Sequence, residues 1–313
     1  MPERKITLID ATIDQLYSRL KSCDICPRNC RLNRLKGKIG YCGGGKETRV
    51  FSAFLHKGEE PPISGQKGSG TVFFSGCSLK CVYCQNYKFS CSISGETVSE
   101  TQLSGIFLKL QKKGAHNINL VTPTHFLPQI LMALKIALKN GLNVPIVYNT
   151  SGYEKVEIIK RLKGIVDVYL SDLKYTDKAV SRAYSNAPEY PDFAQESIKE
   201  IYGQAKALMA ENLLKKGLII RHLVLPNNIE GSKKILAWIA DNLPKAMVSV
   251  MFQYQPYYRA DKYPQINRPL TKAEYQQIRD FTESLRLKGF LQGFSPAECL
   301  AGINFTPNLK EYL

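Results

Sequence analysis

Residues 71–86 read TVFFSGCSLKCVYCQN, and this stretch contains the features from which the fold can be predicted. The run 71–75 is apolar and rich in β-branched and aromatic residues, so it predicts a buried strand. Cys77, Cys81 and Cys84 follow in the loop after this run. In folds with parallel strands, ligands bind in the loops at the carboxyl ends of the strands. The stretch therefore predicts a strand that presents three thiols at the ligand-binding edge of a sheet.

Apolar runs of the same kind recur along the chain and alternate with segments whose apolar residues lie three or four positions apart. We expect strands, each followed by a helix, at 71–75, 117–121, 144–148, 165–170, 218–225 and 247–253. Left-handed residues that end four of the helices are expected at Gly114, Gly141, Gly164 and Gly217. This alternation predicts an α/β fold with a parallel sheet, either doubly wound or partly closed into a barrel.

The composition is that of a globular protein with a basic surface. Among 313 residues, 44% are hydrophobic and 22% are charged, which excludes disordered and collagen-like chains. Lys and Arg number 43 against 27 Asp and Glu, giving a net charge of +16. This surplus favours acidic partners, although a solvated lysine-rich surface explains it equally well. The sequence has neither a signal-peptide pattern nor a long apolar span, so we expect a cytoplasmic protein that does not enter membranes.

A second group of cysteines precedes the strand–helix region. Its members are Cys23, Cys26, Cys30 and Cys42. Four close-set thiols in a reducing compartment indicate a metal site, and they suit either a structural zinc ion or an iron–sulfur cluster. We therefore predict a Cys-rich metal-binding module at 1–66, a core at 67–260 and a helical extension at 261–313. Cys91 is an alternative fourth ligand for the three-cysteine loop, but local packing is the simpler explanation for it.

The loop resembles that of the radical SAM superfamily, whose C-x3-C-x-aromatic-C motif is matched by Cys77, Cys81, Tyr83 and Cys84. The flanking residues are similar to the branch that activates glycyl radical enzymes, exemplified by pyruvate formate-lyase activating enzyme. The whole chain is most similar to uncharacterised iron–sulfur relatives of that branch with an additional N-terminal cysteine set. The resemblance covers about residues 65–260. It implies a partial (β/α)6 TIM-like barrel, and a [4Fe-4S] cluster whose open iron chelates S-adenosylmethionine and cleaves it to a hydrogen-abstracting 5′-deoxyadenosyl radical.

The same resemblance implies roles for polar residues at the strand ends. Asp172 and Lys174 match the D-L-K motif of the activating enzymes, where these side chains face the cofactor or substrate. Tyr83 is expected beside the adenine. The other cofactor-binding residues implied by the resemblance are Asn86, Asn149, Ser151 and Arg221, with Asn149 in place of a family aspartate.

One segment departs from the family pattern. After the second strand the superfamily usually has Gly-Gly-Glu, which receives the methionine ammonium group, but here the sequence is VTPTH from 121 to 125. Hydroxyl groups also accept hydrogen bonds from an ammonium group, so Thr122 and Thr124 are predicted to replace the glutamate. His125 is a candidate acid or base, although a polar residue at a helix start explains it equally well.

The function predicted from the sequence is radical S-adenosylmethionine chemistry. Activation of a glycyl radical enzyme and radical modification of another peptide or a small molecule remain open as alternatives. The basic surface suits an acidic flavodoxin or ferredoxin as electron donor, and the substrate can itself be a protein. The rival hypothesis is a zinc-stabilised, basic nucleic-acid-binding protein. It lacks a recognised nucleic-acid motif and would leave the three-cysteine loop an incomplete zinc site.

Overall fold

The computed structural model describes residues 2–294, Leu309 and 311–313, so Cys299 lies outside the described residues. In this part of the chain, ten strands form one sheet. They are β1 (Thr48–His56), β2 (Ser69–Phe74), β3 (Glu96–Val98), β4 (Ile118–Val121), β5 (Ile146–Thr150), β6 (Val168–Asp172), β7 (Leu208–Ala210), β8 (Leu213–Leu223), β9 (Met247–Met251) and β10 (Lys288–Leu291).

The strand order is β10-β9-β8-β6-β5-β4-β2-β1-β3, with β7 attached to β8 beside this path. Strands from β2 to β10 along this path are parallel, whereas β1 pairs antiparallel with both β2 and β3. All six predicted strands are confirmed as β2, β4, β5, β6, β8 and β9. Because they follow one another without the reversal of a doubly wound sheet, the fold is the predicted partial barrel.

Helices alternate with the strands and cover the sheet. They are α1 (Pro2–Ser18), α2 (Pro61–Ser64), α3 (Tyr87–Ser90), α4 (Glu100–Lys112), α5 (Leu127–Lys139), α6 (Val156–Arg161), α7 (Lys178–Ser185), α8 (Tyr190–Gln204), α9 (Ile229–Asn242) and α10 (Lys272–Ser284). The apolar positions used to predict α4 and α5 are buried. Among the described residues, no helix combines the length and the apolar character needed to cross a bilayer.

Three of the four predicted helix-ending glycines are confirmed. Gly114, Gly141 and Gly164 follow α4, α5 and α6 with φ values of 92°, 93° and 80°. The prediction for Gly217 is wrong, because this residue lies inside β8. The chain between α8 and Gly217 instead forms the hairpin of β7 and β8, which starts β8 five residues earlier than predicted. Its two-residue turn, 211–212, has positive φ at both positions, as tight hairpins require.

The N-terminal residues pack on the barrel. Helix α1 lies against α5, and its Lys5 forms a buried ion pair with Asp167 just before β6. Strand β1 pairs with β2, so this segment also contributes to the sheet. At the other end, β10 extends the parallel part of the sheet beyond β9. The domain boundaries at 66 and 260 stay predictions.

Candidate functional site

The three-cysteine loop begins where β2 ends, at the carboxyl edge of the parallel strands. Gly76 has φ 88°, and a side chain there would collide with the carbonyl oxygen of Cys42, so this turn requires glycine. The amide of Cys84 donates to the carbonyl of Cys81 at 3.1 Å, and the amide of Tyr87 donates to that of Cys84 at 3.2 Å. The loop therefore turns directly into α3, so strand, loop and helix have the predicted order.

Each thiol of this loop lies beside a hydrogen-bonding group. The sulfur of Cys77 accepts from the backbone amide two residues later at 3.3 Å. Ser185 donates to the sulfur of Cys81 at 3.0 Å, and the hydroxyl of Ser90 lies 3.0 Å from the sulfur of Cys84. Burial, reinforced by the neighbouring Cys81, raises the pKa of the Cys77 thiol to about 11. These thiols therefore keep their protons near neutral pH unless a metal displaces them.

A chain of hydroxyl groups connects the aromatic residue of the motif to one of the thiols. The Tyr83 hydroxyl lies 2.6 Å from that of Tyr175, which lies 2.9 Å from the hydroxyl of Ser185, the donor to Cys81. The ring of Tyr83 is buried, with its centroid 5.8 Å from that of Tyr254. Sequence reasoning singled out Tyr83 but missed Tyr175 and Ser185, which have no local motif and reach the cysteine loop from the segment after β6 and from the end of α7.

A cavity of about 570 Å³ opens beside the loop. It begins at Gln85 and Asn86, immediately after the last cysteine, and passes Asn149 and Arg221 at the ends of β5 and β8. Its volume is typical of sites that bind small molecules. Three of the residues predicted to bind a cofactor, Asn86, Asn149 and Arg221, therefore line one cavity.

Arg221 is the centre of an ionic network on the cavity wall. Its Nε donates to Oδ1 of Asp172 at 2.8 Å, and its Nη2 donates to Oδ1 of Asn149 at 2.5 Å. Its Nη1 lies 3.5 Å from Oε2 of Glu59. Lys174 donates to the other oxygen of Asp172 at 2.7 Å. The sheet register explains this grouping, since Asp172 and Arg221 are paired residues of the neighbouring strands β6 and β8.

Mutual attraction keeps Asp172, Lys174 and Arg221 charged, whereas burial raises the pKa of Glu59. Burial alone would raise the pKa of Asp172, but Arg221 and Lys174 outweigh it and hold the pKa below its ordinary value. Burial opposes the charge of Lys174, but Asp172 raises its pKa. The network therefore presents a fixed arrangement of charges to the cavity.

Two acidic residues of the cavity wall, Glu59 and Glu60, were not predicted from the sequence. They lie in the loop after β1, in a Gly/Pro-rich stretch that was interpreted as the end of the N-terminal module. Glu59 accepts a hydrogen bond from the side-chain amide of Asn119 at 3.0 Å. The available signal was two adjacent carboxylates in a strongly basic chain, separated by three residues from the end of the apolar run VFSAFL at 50–55.

The loop after β4 carries the threonines predicted to receive the ammonium group. Thr122 has φ 56°, a strained conformation for a β-branched residue. Thr124 is buried and donates to Oε1 of Glu154 at 2.5 Å, and Thr150 donates to the same oxygen at 2.5 Å. Glu154 is fully buried, and its pKa is raised to about 7 by burial. Glu154, in the loop after β5, thus places a carboxyl group beside residues 121–125, the segment that lacks the glutamate of the family pattern.

His125 lies behind the cysteine loop. It is buried, and its Nε2 donates to the carbonyl oxygen of Ser75 at 2.7 Å. Burial lowers the pKa of His125 to about 3, so the ring is neutral near pH 7.

Ser151 follows β5, and its carbonyl accepts a hydrogen bond from the hydroxyl of Tyr190 at 2.8 Å. The proposed catalytic role of His125 and the cofactor role of Ser151 stay predictions.

Comparison with known families identifies the chain. The model of the radical SAM superfamily matches residues 71–231, just over half of the sequence. The chain belongs to the radical SAM superfamily. Uncharacterized protein MJ0674 of Methanocaldococcus jannaschii is 34% identical over 295 residues, which cover 90% of this chain and 80% of that protein. The family resemblance inferred from the loop is thereby confirmed.

One solved radical SAM structure supports the fold. A radical SAM methyltransferase from Sphaerobacter thermophilus superposes with a TM-score of 0.50 at 12% identity, covering 72% of this chain and 66% of that one. A domain of pyruvate-formate lyase-activating enzyme from Bacteroides vulgatus ATCC 8482 gives a TM-score of 0.34 at 17% identity, covering 48% and 82%. At this level of identity, the methyltransferase likeness shows the partial barrel and nothing about the substrate.

The donor set of this radical SAM protein fits a four-iron cluster. Within the described residues, no three His, Cys, Asp or Glu side chains converge on a position for a single metal ion. A cluster does not need such convergence, because each thiolate binds a different iron atom. Cys77, Cys81 and Cys84 would hold three irons and leave the fourth open to S-adenosylmethionine. The hydrogen-bond donors next to their sulfur atoms suit thiolate ligands.

The N-terminal cysteines of this radical SAM protein lie directly beside the motif loop. The carbonyl of Cys42 accepts from the amide of Cys77 at 3.1 Å. Cys26 and Cys42 are buried. Burial, together with the neighbouring Cys42, raises the pKa of the Cys26 thiol. Burial, together with the neighbouring Cys23, raises the pKa of the Cys42 thiol. A side chain on Gly40 would lie within 3.7 Å of two sulfur atoms of the set. Two of the four thiols, those of Cys30 and Cys42, thus lie beside a glycine turn, and a metal site at this set stays a prediction.

Proposed function

We propose that this protein is a radical SAM enzyme that binds its cluster at Cys77, Cys81 and Cys84 and abstracts a hydrogen atom from a substrate in the adjacent cavity. When bound and reduced, such a cluster supplies the electron that cleaves S-adenosylmethionine to methionine and a 5′-deoxyadenosyl radical. The observation that carries the proposal is the three-thiol loop, whose next two residues line the cavity.

The chain's own residues orient the reactants. Arg221, fixed by Asp172 and Asn149, offers a rigid charged wall suited to the polar groups of S-adenosylmethionine. Lys174 donates a hydrogen bond to Asp172 next to this wall, and we propose both as catalytic residues. Tyr83 is the proposed neighbour of the adenine.

Anaerobic reconstitution with iron and sulfide, followed by addition of S-adenosylmethionine and dithionite, tests this proposal. The parent protein should release 5′-deoxyadenosine, and Cys77→Ala, Cys81→Ala and Cys84→Ala should each abolish the release. Cys91→Ala is the matched control and should retain it. A Cys84→Ala protein as active as the parent, or a colourless zinc protein that binds RNA in a salt-dependent manner, would refute the assignment.

The finer proposal is activation of a glycyl radical enzyme by hydrogen abstraction from a backbone glycine. It is supported by the D-L-K segment with Asp172 and Lys174 and by the sequence around the cysteine loop. Incubation of the reduced protein with S-adenosylmethionine and glycine-containing peptides should produce a glycyl radical detectable by electron paramagnetic resonance. Turnover of small molecules alone would favour the alternative of small-molecule modification.

A second metal site and an acidic reductant complete the proposal. We also propose that the N-terminal set binds an auxiliary cluster or a structural zinc, since a side chain at Gly40 would lie within 3.7 Å of the sulfur atoms of Cys30 and Cys42. Metal analysis of a protein lacking Cys77, Cys81 and Cys84 distinguishes these, since zinc means a structural site and about four irons mean a cluster. The net charge of +16 supports docking of an acidic flavodoxin or ferredoxin. Reduction by such a donor should slow steeply with added salt.

A further inference from the structure

One carboxylate at the cavity wall lacks a complete set of hydrogen-bond donors. Glu60 immediately precedes α2 and is 9% exposed, yet its side chain does not cap this helix. It lines the cavity together with Ser249, whose hydroxyl donates to the carboxyl group. The other oxygen, Oε2, is buried and accepts no hydrogen bond from the described residues. Because a buried, unpaired carboxylate oxygen is costly, the wall is incomplete without a donor.

The neighbouring charged groups do not supply this donor. Both oxygens of Glu59 already have partners, the amide of Asn119 at 3.0 Å and Nη1 of Arg221 at 3.5 Å. The remaining nitrogen atoms of Arg221 donate to side chains on β5 and β6. Burial lowers the pKa of His56, which lines the same cavity, so this ring brings no positive charge to Glu60 near pH 7.

The charges of the wall are also unbalanced. Among the charged residues that line the cavity, the carboxyl groups of Glu59 and Glu60 stand against one cation, Arg221. Burial and repulsion by Glu59 raise the pKa of Glu60, although Arg221 opposes this shift. A ligand that brings one positive charge to Glu60 would neutralise the wall and complete its hydrogen bonds.

Part of the remaining cavity surface is apolar and suits a hydrocarbon chain. Phe73, Val121, Met251 and Phe290 contribute apolar surface to the same cavity of about 570 Å³. S-adenosylmethionine would occupy the part next to the cysteine loop, which leaves room for a group of side-chain size. Apolar walls that end in a single unpaired carboxylate select for an aliphatic chain with a cationic end.

We propose that Glu60 binds the protonated amine or guanidinium group at the end of an aliphatic chain of the substrate. This inference rests on the proposed function, because it places the C–H bonds of that chain in the cavity where the hydrogen atom is abstracted. Glu60 positions the substrate by its charge, and the hydrogen atom moves from the substrate carbon to the 5′ carbon without involving the carboxylate. The cation comes from a lysine or arginine side chain of a peptide or from a free amine.

Calorimetric titration of the anaerobically reconstituted protein with S-adenosylmethionine tests this proposal. The cationic probes are agmatine and acetyl-Gly-Arg-Gly-amide, and the neutral probe is acetyl-Gly-citrulline-Gly-amide, which keeps the shape of the arginine peptide. A charge-assisted hydrogen bond should make the arginine peptide bind at least about tenfold more tightly than the citrulline peptide. Glu60→Gln should remove this preference, while Glu230→Gln, an exposed carboxylate on α9, should preserve it.

The two cationic probes, agmatine and the arginine peptide, distinguish the possible sources of the cation. Tighter binding of the arginine peptide than of agmatine assigns the cation to a peptide, and the reverse order assigns it to a free amine. Equal binding of charged and neutral peptides to the parent protein overturns the inference, as does a retained preference in Glu60→Gln. This readout does not need turnover, so a protein that binds cations but releases no 5′-deoxyadenosine contradicts only the proposed function.

Discussion

Glu154 should make the stability of the protein fall as the pH rises through the neutral range. Burial raises its pKa to about 7 from an ordinary value of 4.5. Between these two pH values the folded protein holds a proton that the unfolded chain has lost, so raising the pH destabilises the fold. Between about pH 5.5 and about pH 8, the titration of Glu154 alone lowers the free energy of unfolding by about 2 kcal/mol.

Glu154→Gln removes this titration and retains a side-chain oxygen for Thr124 and Thr150. The difference in unfolding free energy between variant and parent should therefore shift by about 2 kcal/mol in favour of the variant over that interval. In a chain of this size that corresponds to roughly 4 °C in the thermal midpoint. Tyr148 and Tyr169 lie close to Glu154, but burial raises the pKa of both, so they keep their protons throughout.

The assay is thermal unfolding of the reconstituted proteins at both pH values, with infrared detection of the protonated carboxyl band at intermediate pH. Glu157→Gln is the control, because a hydrogen bond from Arg19 lowers the pKa of this carboxyl and its titration lies below the interval. A variant with the same pH dependence as the parent, or a parent without the carboxyl band near pH 6, would mean that Glu154 is ionised in the fold, and would refute the reasoning.

Three further outcomes are expected. Ser185→Ala removes a hydroxyl donor to a motif thiolate and should lower the cluster's reduction potential by about 40 mV, equivalent to about 1 kcal/mol, in a titration followed by electron paramagnetic resonance. Ser181→Ala, whose hydroxyl donates to a backbone carbonyl instead, should not change it. Replacing Thr122 and Thr124 together by Val should weaken S-adenosylmethionine binding by about 1–3 kcal/mol at unchanged iron content, and unchanged affinity in a titration would contradict their role. Cys26→Ala should loosen the N-terminal segment, measured as faster proteolysis within residues 23–45 than in the parent, and an unchanged cleavage rate would speak against a metal there.

Local sequence patterns were sufficient to predict the strands and the motif loop. They were insufficient where a segment suited two kinds of secondary structure equally well. The six strands were predicted because apolar runs of that length must be buried wherever they lie in the sheet. The prediction for Gly217 failed because a positive φ suits both a helix end and an irregular strand, and the hairpin that precedes it decided between them. The turn at 211–212 carries Glu and Asn rather than a strong Gly-containing signal, so the hairpin was not foreseen.

The sequence alone determined the superfamily, the loop that carries Cys77, Cys81 and Cys84, and the parallel α/β architecture, because these depend on residues that are neighbours in the chain. Only the tertiary structure decided that the sheet is singly wound, since strand order depends on how crossovers pack. Only it brought Glu60 to the cavity and Glu154 to the threonine loop. Each comes from a different loop, and the register of the strands, which no local pattern encodes, sets the distance between such side chains.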